Sequence, residues 1–566
     1  SPVYIARLNE LTDAVHEYGA KIAAQLTAGL GRVARGAALS SGWAIAPSPQ
    51  PCFWDPNVMA RGLSIEEVEK LVKAFGVAAA IIKVAGFDAI ELHGHEGYLL
   101  DQFMTAKWNK RTDKYGGDLE GRLRFPLEVI DSIRKAVGSD FPLIFRMAAR
   151  HYIEGGRDIG ESIVIAKRFE EAGVNSLHID CGCYESWNWA HPPLYMEQAP
   201  TIESVAAIKN KVSLPVIAVG RLGYPELAEK VLAEGKADFI ALGRPLLADP
   251  EWPNKVKEGR FDEIRPCIGD HDGCLGRIFE GKYLSCTVNP QTGMEREFTI
   301  QPALQKKSVL VIGGGPAGME AARVAALRGH KVTLWEKSGE LGGNLIPASI
   351  PEFKSDIKNL VMYLSSQIKK LGVQIVLNKE ATPELVVNSN ADEVIITTGG
   401  IPIIPEIKGY ERKQIATAID LLQGKKEGGK NVAVLGGGFI GCETALWLAQ
   451  KEKKVTIIEI LEDVMVDMFK ANKQQMLQML AKANVTIMTG VKNWEITDRG
   501  IIVENLKGKE VVEADTIVIA VGLKPEATLI DRLKDARFPV HGVGDCIEPR
   551  KIQSAIWEAF RIALRI

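Results

Sequence analysis

Hydrophobic residues in the first 260 positions occur as short apolar runs separated by longer amphipathic stretches. Helical periodicity marks the stretches, for example Ile65–Val84 and Leu123–Val137. This alternation predicts a parallel sheet, and its regular spacing predicts an α/β protein with a (β/α)8 barrel. The predicted strands are Lys21–Leu26, Ala89–His93, Leu143–Met147, Ser176–Asp180, Val216–Val219 and Phe239–Leu242.

Six strand signals are present in this region, whereas a complete barrel has eight. The first signal lies close to the beginning of the sequence. We therefore expect the chain to begin partway through its barrel, after the first strands.

From Val309 onward the pattern changes to two strand–glycine–helix units about 120 residues apart. Each unit has an apolar strand and a G-x-G-x-x-G fingerprint, and an Ala-rich helix follows the first fingerprint, which is typical of a dinucleotide-binding fold. The first glycine permits a tight turn, the second leaves room for a pyrophosphate, and the third allows close packing of helix on strand. The glycines are Gly313, Gly315 and Gly318 in the first unit, and Gly436, Gly438 and Gly441 in the second.

An acidic residue follows the second strand of each unit. Glu336 is placed to bind a ribose hydroxyl in the first unit, and Glu459 has the same place in the second. A carboxylate there accepts hydrogen bonds from a free 2′-hydroxyl and repels a 2′-phosphate, so Glu459 predicts NADH rather than NADPH as the donor. The alternative is a solvated strand end with no ligand.

Three cysteines, Cys267, Cys274 and Cys286, are clustered in an irregular segment between the barrel and the first fingerprint. Clustered thiols in a loop-rich segment indicate a metal site, either zinc or an iron–sulfur cluster, rather than disulfides. Asp270 lies between the first two cysteines. The alternative is three ordinary buried cysteines.

Charge and composition exclude several classes of protein. The 566 residues carry a formal net charge of −2, so no basic field indicates nucleic acid as a partner. No apolar run is long enough to predict a membrane span. Eight cysteines at irregular spacing do not form a secreted disulfide scaffold, which favours a cytoplasmic protein.

Two barrel motifs, Glu91–Phe103 and Asn109–Gly117, resemble those of the Old Yellow Enzyme family. The order of a barrel, a cysteine segment and two fingerprints resembles the large multi-cofactor branch of that family. This branch includes 2-enoate reductase, 2,4-dienoyl-CoA reductase, bile-acid oxosteroid reductases and trimethylamine dehydrogenase. The aromatic run Cys183–Pro193 most resembles the 2-enoate reductases. One departure is that the family's cluster motif has a cysteine where this chain has Asp270.

The C-terminal half resembles the disulfide-reductase-like flavoproteins. Val394–Gly400 is similar to their crossover motif, and Gly544 and Asp545 are similar to their late flavin-contacting motif. The resemblance implies an NAD domain inserted in a FAD domain. The implied organisation is an FMN-binding barrel (1–260), a cluster segment (261–300), the first segment of the FAD domain (306–427), an NAD(H) domain (428–511) and the second segment of the FAD domain (512–566).

The resemblance also implies roles for individual residues. Gln25 and Arg146 correspond to contacts with the FMN ring, and Tyr98 corresponds to the proton donor. His93 and His191 are candidates to hydrogen-bond the carbonyl or carboxylate of the substrate. The FMN phosphate is expected at Gly220, Arg221, Gly243 and Arg244. A [4Fe–4S] cluster, or a three-iron or labile form of it, is expected at Cys267, Cys274, Cys286 and Asp270.

The leading hypothesis for function is an NADH-dependent ene-reductase acting on a small unsaturated acid, thioester or enone. Electrons are expected to pass from NADH to FAD, to the cluster, to FMN and then to the substrate. The alternatives are amine dehydrogenation of the trimethylamine dehydrogenase type and a degenerate flavoprotein that only binds. A homo-oligomer is compatible with the sequence, which does not specify the oligomeric state or the substrate.

Overall fold

The computed structural model of the protein describes residues 2–410, 414–505 and 508–566. The chain divides into two units. The first contains residues up to Pro192 together with Glu197–Leu242, and the second contains Pro193–Met196 together with Gly243–Ile566. Among the described residues, no helix combines the length and the apolar composition needed to cross a membrane.

The first unit is built on a curved parallel sheet. Its strands are β1 (Ala23–Leu26), β2 (Ile45–Ala46), β3 (Gln50–Pro51), β4 (Met59–Gly62), β5 (Ala89–Gly94), β6 (Leu143–Ala148), β7 (Ser176–Asp180), β8 (Val216–Val219) and β9 (Phe239–Ala241). The main sheet has the order β1-β5-β6-β7-β8-β9 with every pair parallel, and β2, β3 and β4 form a small separate sheet. All six predicted strands are present, which confirms the barrel-type α/β fold.

Helices alternate with these strands. They are α1 (Ile5–His16), α2 (Ala37–Ser40), α3 (Ile65–Val84), α4 (Leu99–Met104), α5 (Leu119–Val137), α6 (Ile159–Glu171), α7 (Trp187–Ala190), α8 (Ile202–Lys209) and α9 (Pro225–Ala233). Side-chain caps define several of their starts. Ser64 and Glu67 form a capping box at α3, and Asp118 accepts a hydrogen bond from the backbone N–H of Gly121 at α5.

Strand β6 shows that the sheet has an apolar face toward the core and a polar face on the other side. Leu143, Phe145 and Met147 are fully buried in the apolar core, whereas Arg146 points to the opposite face. The strand register aligns Arg146 with His93 on β5 and with His178 on β7. A row of polar side chains therefore lies across one face of three adjacent strands.

The second unit begins with α10 (Arg244–Ala248), α11 (Trp252–Lys257), a π-helical turn (Asp272–Gly276) and α12 (Arg277–Phe279). Its strands are β10 (Ser308–Ile312), β11 (Lys331–Trp335), β12 (Gln374–Val376), β13 (Glu393–Ile396), β14 (Gly400–Pro402), β15 (Ile415–Thr417), β16 (Asn431–Leu435), β17 (Lys454–Ile458), β18 (Thr486–Met488), β19 (Asn493–Thr497), β20 (Gly500–Asn505), β21 (Gly508–Glu513), β22 (Thr516–Ile519), β23 (Leu523–Pro525) and β24 (Val540–Gly542). The remaining helices are α13 (Pro316–Leu327), α14 (Leu345–Ala348), α15 (Ser355–Lys370), α16 (Pro383–Val387), α17 (Ala418–Leu422), α18 (Phe439–Gln450), α19 (Lys470–Lys482), α20 (Thr528–Arg532) and α21 (Ile552–Ala563).

Two parallel five-stranded sheets hold the two fingerprints. The first has the order β12-β11-β10-β13-β24 and the second has the order β15-β22-β16-β17-β18. Because β24 returns to the first sheet after the second is complete, the second sheet is inserted within the first. The inserted sheet includes β15 and β22, so it extends on both sides beyond the expected 428–511 domain. Their sequences are short apolar runs without a fingerprint, and only their pairing assigns them to this sheet.

Candidate active and cofactor sites

A network of charged and polar side chains lines the inner face of β1, β5, β6 and β7. Arg146 donates from Nε to Asp180 Oδ2 at 3.0 Å, and His95 Nδ1 lies 2.6 Å from the same oxygen. Glu91 accepts hydrogen bonds from Gln25 at 2.6 Å and from His178 at 2.8 Å. The structure thus brings the predicted residues Gln25 and Arg146 onto one face of the sheet, each bound to a carboxylate.

The turn after β5 places Tyr98 at the start of α4. Glu96 has a φ of 56°, an unfavourable value for a residue with a side chain, and Gly97 has a φ of 74°. The backbone N–H of Gly97 donates to Asp101 Oδ2 at 2.8 Å. Asp101 is fully buried and forms ion pairs with Arg157 and His151 at 2.8 and 3.1 Å. This buried charge network holds the turn in its strained conformation.

Tyr98 has the environment of a proton donor. Its hydroxyl lies 3.2 Å from the hydroxyl of Tyr184, and its ring stacks on His93 with the centroids 4.4 Å apart. Burial, with the nearby Glu96 carboxyl, raises the pKa of Tyr98, and burial also raises the pKa of Tyr184. Both phenols are therefore protonated at neutral pH, and one can donate while the other stabilises the resulting oxygen.

Glu96 and His191 form a second pair beside Tyr98. His191 Nε2 lies 3.2 Å from Glu96 Oε1. Burial, reinforced by Asp180 and Asp101, raises the pKa of Glu96 to about 8 despite the opposing charge of Arg146. Burial and Arg146 lower the pKa of His93 to about 4. At neutral pH the site thus presents a neutral carboxylic acid and a neutral imidazole, both able to hydrogen-bond a polar substrate group.

The same face fits an FMN ring. His93 Nδ1 and His178 Nε2 are buried and have no hydrogen-bond partner within the described part of the chain. Buried polar atoms without partners are costly, so they indicate a polar ligand at this face. After β8, Gly220 has a φ of 124° and Arg221 has a φ of 51°, which is the kind of strained turn found at binding sites.

The predicted phosphate residues do not all belong to one unit. Gly220 and Arg221 belong to the first unit, whereas Gly243 and Arg244 belong to the second. Arg244 donates from Nη1 to His271 Nε2 at 2.7 Å and lines the cysteine cavity. The assignment of these four residues to the FMN phosphate stays a prediction.

A cavity of about 1120 Å³ lies at the first fingerprint. It is lined by Gly313, Gly315, Glu336, Asp545 and the crossover residues 397–400. Glu336 accepts a hydrogen bond from the backbone N–H of Gly314 at 2.6 Å. The cavity opens at the N-terminus of α13, where unpaired N–H groups favour a phosphate. Its size, acidic ribose partner and helix terminus fit FAD.

The second fingerprint repeats this local geometry. Glu459 accepts from the backbone N–H of Gly437 at 2.6 Å, as Glu336 does from Gly314. A Cβ on Gly441 would lie 1.9 Å from the carbonyl oxygen of Gly436, whereas a Cβ on Gly438 would meet no atom within 4 Å. The third glycine is thus required for packing, and the second leaves open space that fits the pyrophosphate of a nicotinamide dinucleotide.

Cys267, Asp270, Cys274 and Cys286 line one small cavity, together with Arg244 and Thr287. Burial raises the pKa of all three thiols, and burial beside Asp272 also raises the pKa of Asp270. Without a cation, burial therefore disfavours the charged form of these groups. A positively charged iron centre reverses that preference by stabilising thiolates and a carboxylate, so the donor set fits an iron–sulfur cluster.

Comparison with known proteins identifies the family. Residues 3–263 match the NADH:flavin oxidoreductase / NADH oxidase family, and residues 307–558 match the pyridine nucleotide-disulphide oxidoreductases. The chain is 42% identical to cinnamate reductase from Clostridium sporogenes over 100% of its own length and 87% of the relative. The chain belongs to the NADH:flavin oxidoreductase / NADH oxidase family. It is therefore an enzyme, and its dependence on flavin and NADH is confirmed.

Other members of this oxidoreductase family are similar along the whole chain. NADH oxidase from Thermoanaerobacter brockii is 43% identical over 100% of the chain and 87% of the relative. A structure of 2-naphthoyl-CoA reductase with 2-naphthoyl-CoA superposes with a TM-score of 0.94 at 34% identity, covering 100% of this chain and 88% of that one. N,N-Dimethylglycine/sarcosine dehydrogenase from Chromohalobacter salexigens is more distant, at 29% identity over 99% of the chain and 88% of the relative.

Sequence reasoning missed three residues of this oxidoreductase site. Asp180 ends a predicted strand, but nothing in the sequence shows that it pairs with Arg146. Tyr184 lies within the aromatic run that carried the resemblance, and its partnership with Tyr98 depends on a contact between two loops. Asp101 lies within the Glu91–Phe103 motif. The available signal was an acidic residue next to apolar residues in this motif.

Proposed function

We propose that the protein is an NADH-dependent ene-reductase that reduces the carbon–carbon double bond of an α,β-unsaturated acid, thioester or enone. The observation that carries the proposal is the Tyr98–Tyr184 hydroxyl pair beside a neutral imidazole and a neutral carboxyl. Ene-reduction needs a proton for the α carbon and hydrogen bonds for the developing enolate, and this arrangement offers both.

The residues divide the work as follows. FMN, when bound, supplies the hydride for the β carbon, with NADH, FAD and the cluster as the source of electrons. Tyr98 donates the proton to the α carbon, and Tyr184 then donates a hydrogen bond to the Tyr98 oxygen. His93 and His191 hold the substrate carbonyl or carboxylate, and Glu96 positions His191. The names of the cinnamate and 2-naphthoyl-CoA reductases support an unsaturated substrate of this kind.

Amine dehydrogenation is the second candidate, supported by more distant relatives of which one acts on N,N-dimethylglycine and sarcosine. The second fingerprint and Glu459 are intact, which favours an enzyme that consumes NADH. The proposed iron–sulfur cluster is held by cysteine thiolates, which a reducing compartment protects from oxidation, so we place the enzyme in the cytoplasm. Its proposed partner is a small molecule, with no role for nucleic acid or membrane.

The Tyr98→Phe variant tests the proposal. Loss of the proton donor should slow alkene reduction by about 10²–10⁴-fold, while NADH-driven flavin reduction stays unchanged. Tyr184→Phe is the matched control, because it keeps the donor and removes only the supporting hydroxyl, and it should slow the reaction by about tenfold. Anaerobic stopped-flow with enoates, enones and thioesters measures both steps. Alkene reduction at the parental rate in Tyr98→Phe would exclude Tyr98 as the acid.

A pH profile gives a second test. Ionisation of Glu96 as the pH rises past about 8 introduces the negative charge that raises the pKa of Tyr98 and makes it a weaker acid. We expect the rate of alkene reduction to fall on that alkaline limb. Glu96→Gln should remove the limb while NADH-driven flavin reduction keeps its own profile. An unchanged limb in this variant would show that Glu96 does not act on Tyr98.

A further inference from the structure

We propose that Asp270 is the fourth ligand of an iron–sulfur centre whose other ligands are Cys267, Cys274 and Cys286, and that the iron it binds is exchangeable. The inference follows from the cysteine cavity alone. It holds whichever unsaturated compound the barrel site accepts.

The position of Asp270 in the wall of the cysteine cavity makes it the candidate for the fourth ligand. Its wall contains three thiols and one carboxylate, with Thr287 and Arg244 beside them. Three thiolates leave one corner of a four-iron cluster without a protein ligand. Among the residues that line this cavity, Asp270 carries the carboxylate that can occupy that corner.

Neighbouring residues that could compete are engaged elsewhere. His271 donates from Nδ1 to Asn472 Oδ1 at 2.5 Å, and its Nε2 accepts from Arg244 at 2.7 Å. Both ring nitrogens are therefore occupied. Asp272 accepts from Lys551 Nζ at 2.8 Å, which holds its carboxylate in an ion pair.

Thr287 fixes the geometry of the Asp270 carboxylate. Its hydroxyl donates to Asp270 Oδ2 at 2.6 Å and accepts from the backbone N–H of Gly273 at 3.1 Å. One carboxylate oxygen is thus held by the loop, which favours binding of iron through the other oxygen alone. Such outer hydrogen bonds orient metal ligands and strengthen metal binding.

The choice of ligand has a chemical consequence. A single carboxylate oxygen is a harder and weaker partner for cluster iron than a thiolate, so this iron should dissociate first. Oxidation releases it: [4Fe–4S]²⁺ loses one electron to an added oxidant and one Fe²⁺ to solution, leaving [3Fe–4S]⁺. The reverse step takes one electron from a reductant and one Fe²⁺. Electron count and charge balance in both directions.

The test uses the full protein purified without oxygen and treated with ferricyanide, then with dithionite and Fe²⁺. Iron is counted and spin-resonance spectra are recorded at each stage. The parent should change from the four-iron to the three-iron form and back. Asp270→Cys should keep the four-iron form throughout, and Asp270→Asn should stop at the three-iron form. Thr287→Val should lose the fourth iron about 10–100-fold faster.

Asp272→Asn is the matched control, because it removes a neighbouring carboxylate that is held by Lys551. It should still change reversibly between the four-iron and three-iron forms. FAD content reports whether each variant is folded. Four tightly held irons in both the parent and Asp270→Asn would overturn the proposal, and so would zinc or no metal in the parent. Alkene reduction is measured separately, so its failure with an intact parental cluster would argue against the proposed function and not against this ligand.

Discussion

The two nucleotide fingerprints are close copies of each other, yet their helices are held in different ways. In the first, Glu336 accepts a hydrogen bond from the backbone N–H of Gly314, and in the second Glu459 accepts one from Gly437, both at 2.6 Å. Two residues after the third glycine each helix carries a buried glutamate, Glu320 on α13 and Glu443 on α18. Glu320 pairs with Arg323 on the same helix at 2.7 Å.

Glu443 instead binds two residues that are distant in the sequence. Tyr195 donates to it at 2.8 Å and Lys354 at 2.6 Å. The same sequence position therefore serves local stability in the FAD domain and long-range attachment in the NAD domain. The comparison shows that a fingerprint specifies its ligand-facing geometry, whereas the partners behind it depend on the whole fold.

The largest effect is expected at the third glycines. A Cβ on Gly318 or Gly441 would lie within 1.9 Å of the first glycine's carbonyl oxygen, so alanine there must displace the helix. Gly318→Ala should abolish FAD retention, and Gly441→Ala should abolish reduction by NADH while FAD stays bound. Released flavin and dithionite reduction separate the two outcomes.

Gly438, the second glycine of the second fingerprint, provides the control for that experiment. A Cβ on Gly438 meets no atom within 4 Å, so Gly438→Ala should leave the fold intact and weaken only NADH binding. Equal loss of FAD in Gly441→Ala and Gly318→Ala would show that the two fingerprints do not act separately.

A smaller effect is expected from the buried glutamates. Either Glu443→Ala or Glu320→Ala leaves a buried cation without its partner and should cost about 3–5 kcal/mol of unfolding free energy. Glu443→Ala, unlike Glu320→Ala, should also increase hydrogen exchange in Pro193–Met196, because Glu443 accepts a hydrogen bond from Tyr195. Tyr195→Phe should reproduce that exchange at a cost of about 1 kcal/mol. Unchanged exchange in Glu443→Ala would contradict the assigned attachment.

The distinction between local geometry and long-range partners also explains which regions of the molecule could be predicted from the sequence. The six barrel strands and both fingerprints depend on local periodicity and on glycine geometry, so they were predictable. The pairing of Arg146 with Asp180 and of Tyr98 with Tyr184 depends on strand register and loop contact. Strands β15 and β22 join the NAD sheet by pairing alone, which is why the sequence placed that domain's boundaries inside them.

The smallest effect concerns the choice of nicotinamide at Glu459. Its Oε2 accepts from Gly437 and its Oε1 from the backbone N–H of Leu461 at 2.9 Å, which fixes a negative charge beside the fingerprint. The parent should therefore prefer NADH, because a 2′-phosphate would meet that charge. Glu459→Ala should reduce the NADH-to-NADPH ratio of kcat/KM by about tenfold, equivalent to about 1.4 kcal/mol. Glu336→Ala is the matched control: it should lower FAD retention and leave that ratio unchanged. A parent that prefers NADPH would contradict the role of Glu459, and a change of the ratio in Glu336→Ala would show that the two carboxylates do not serve separate nucleotides.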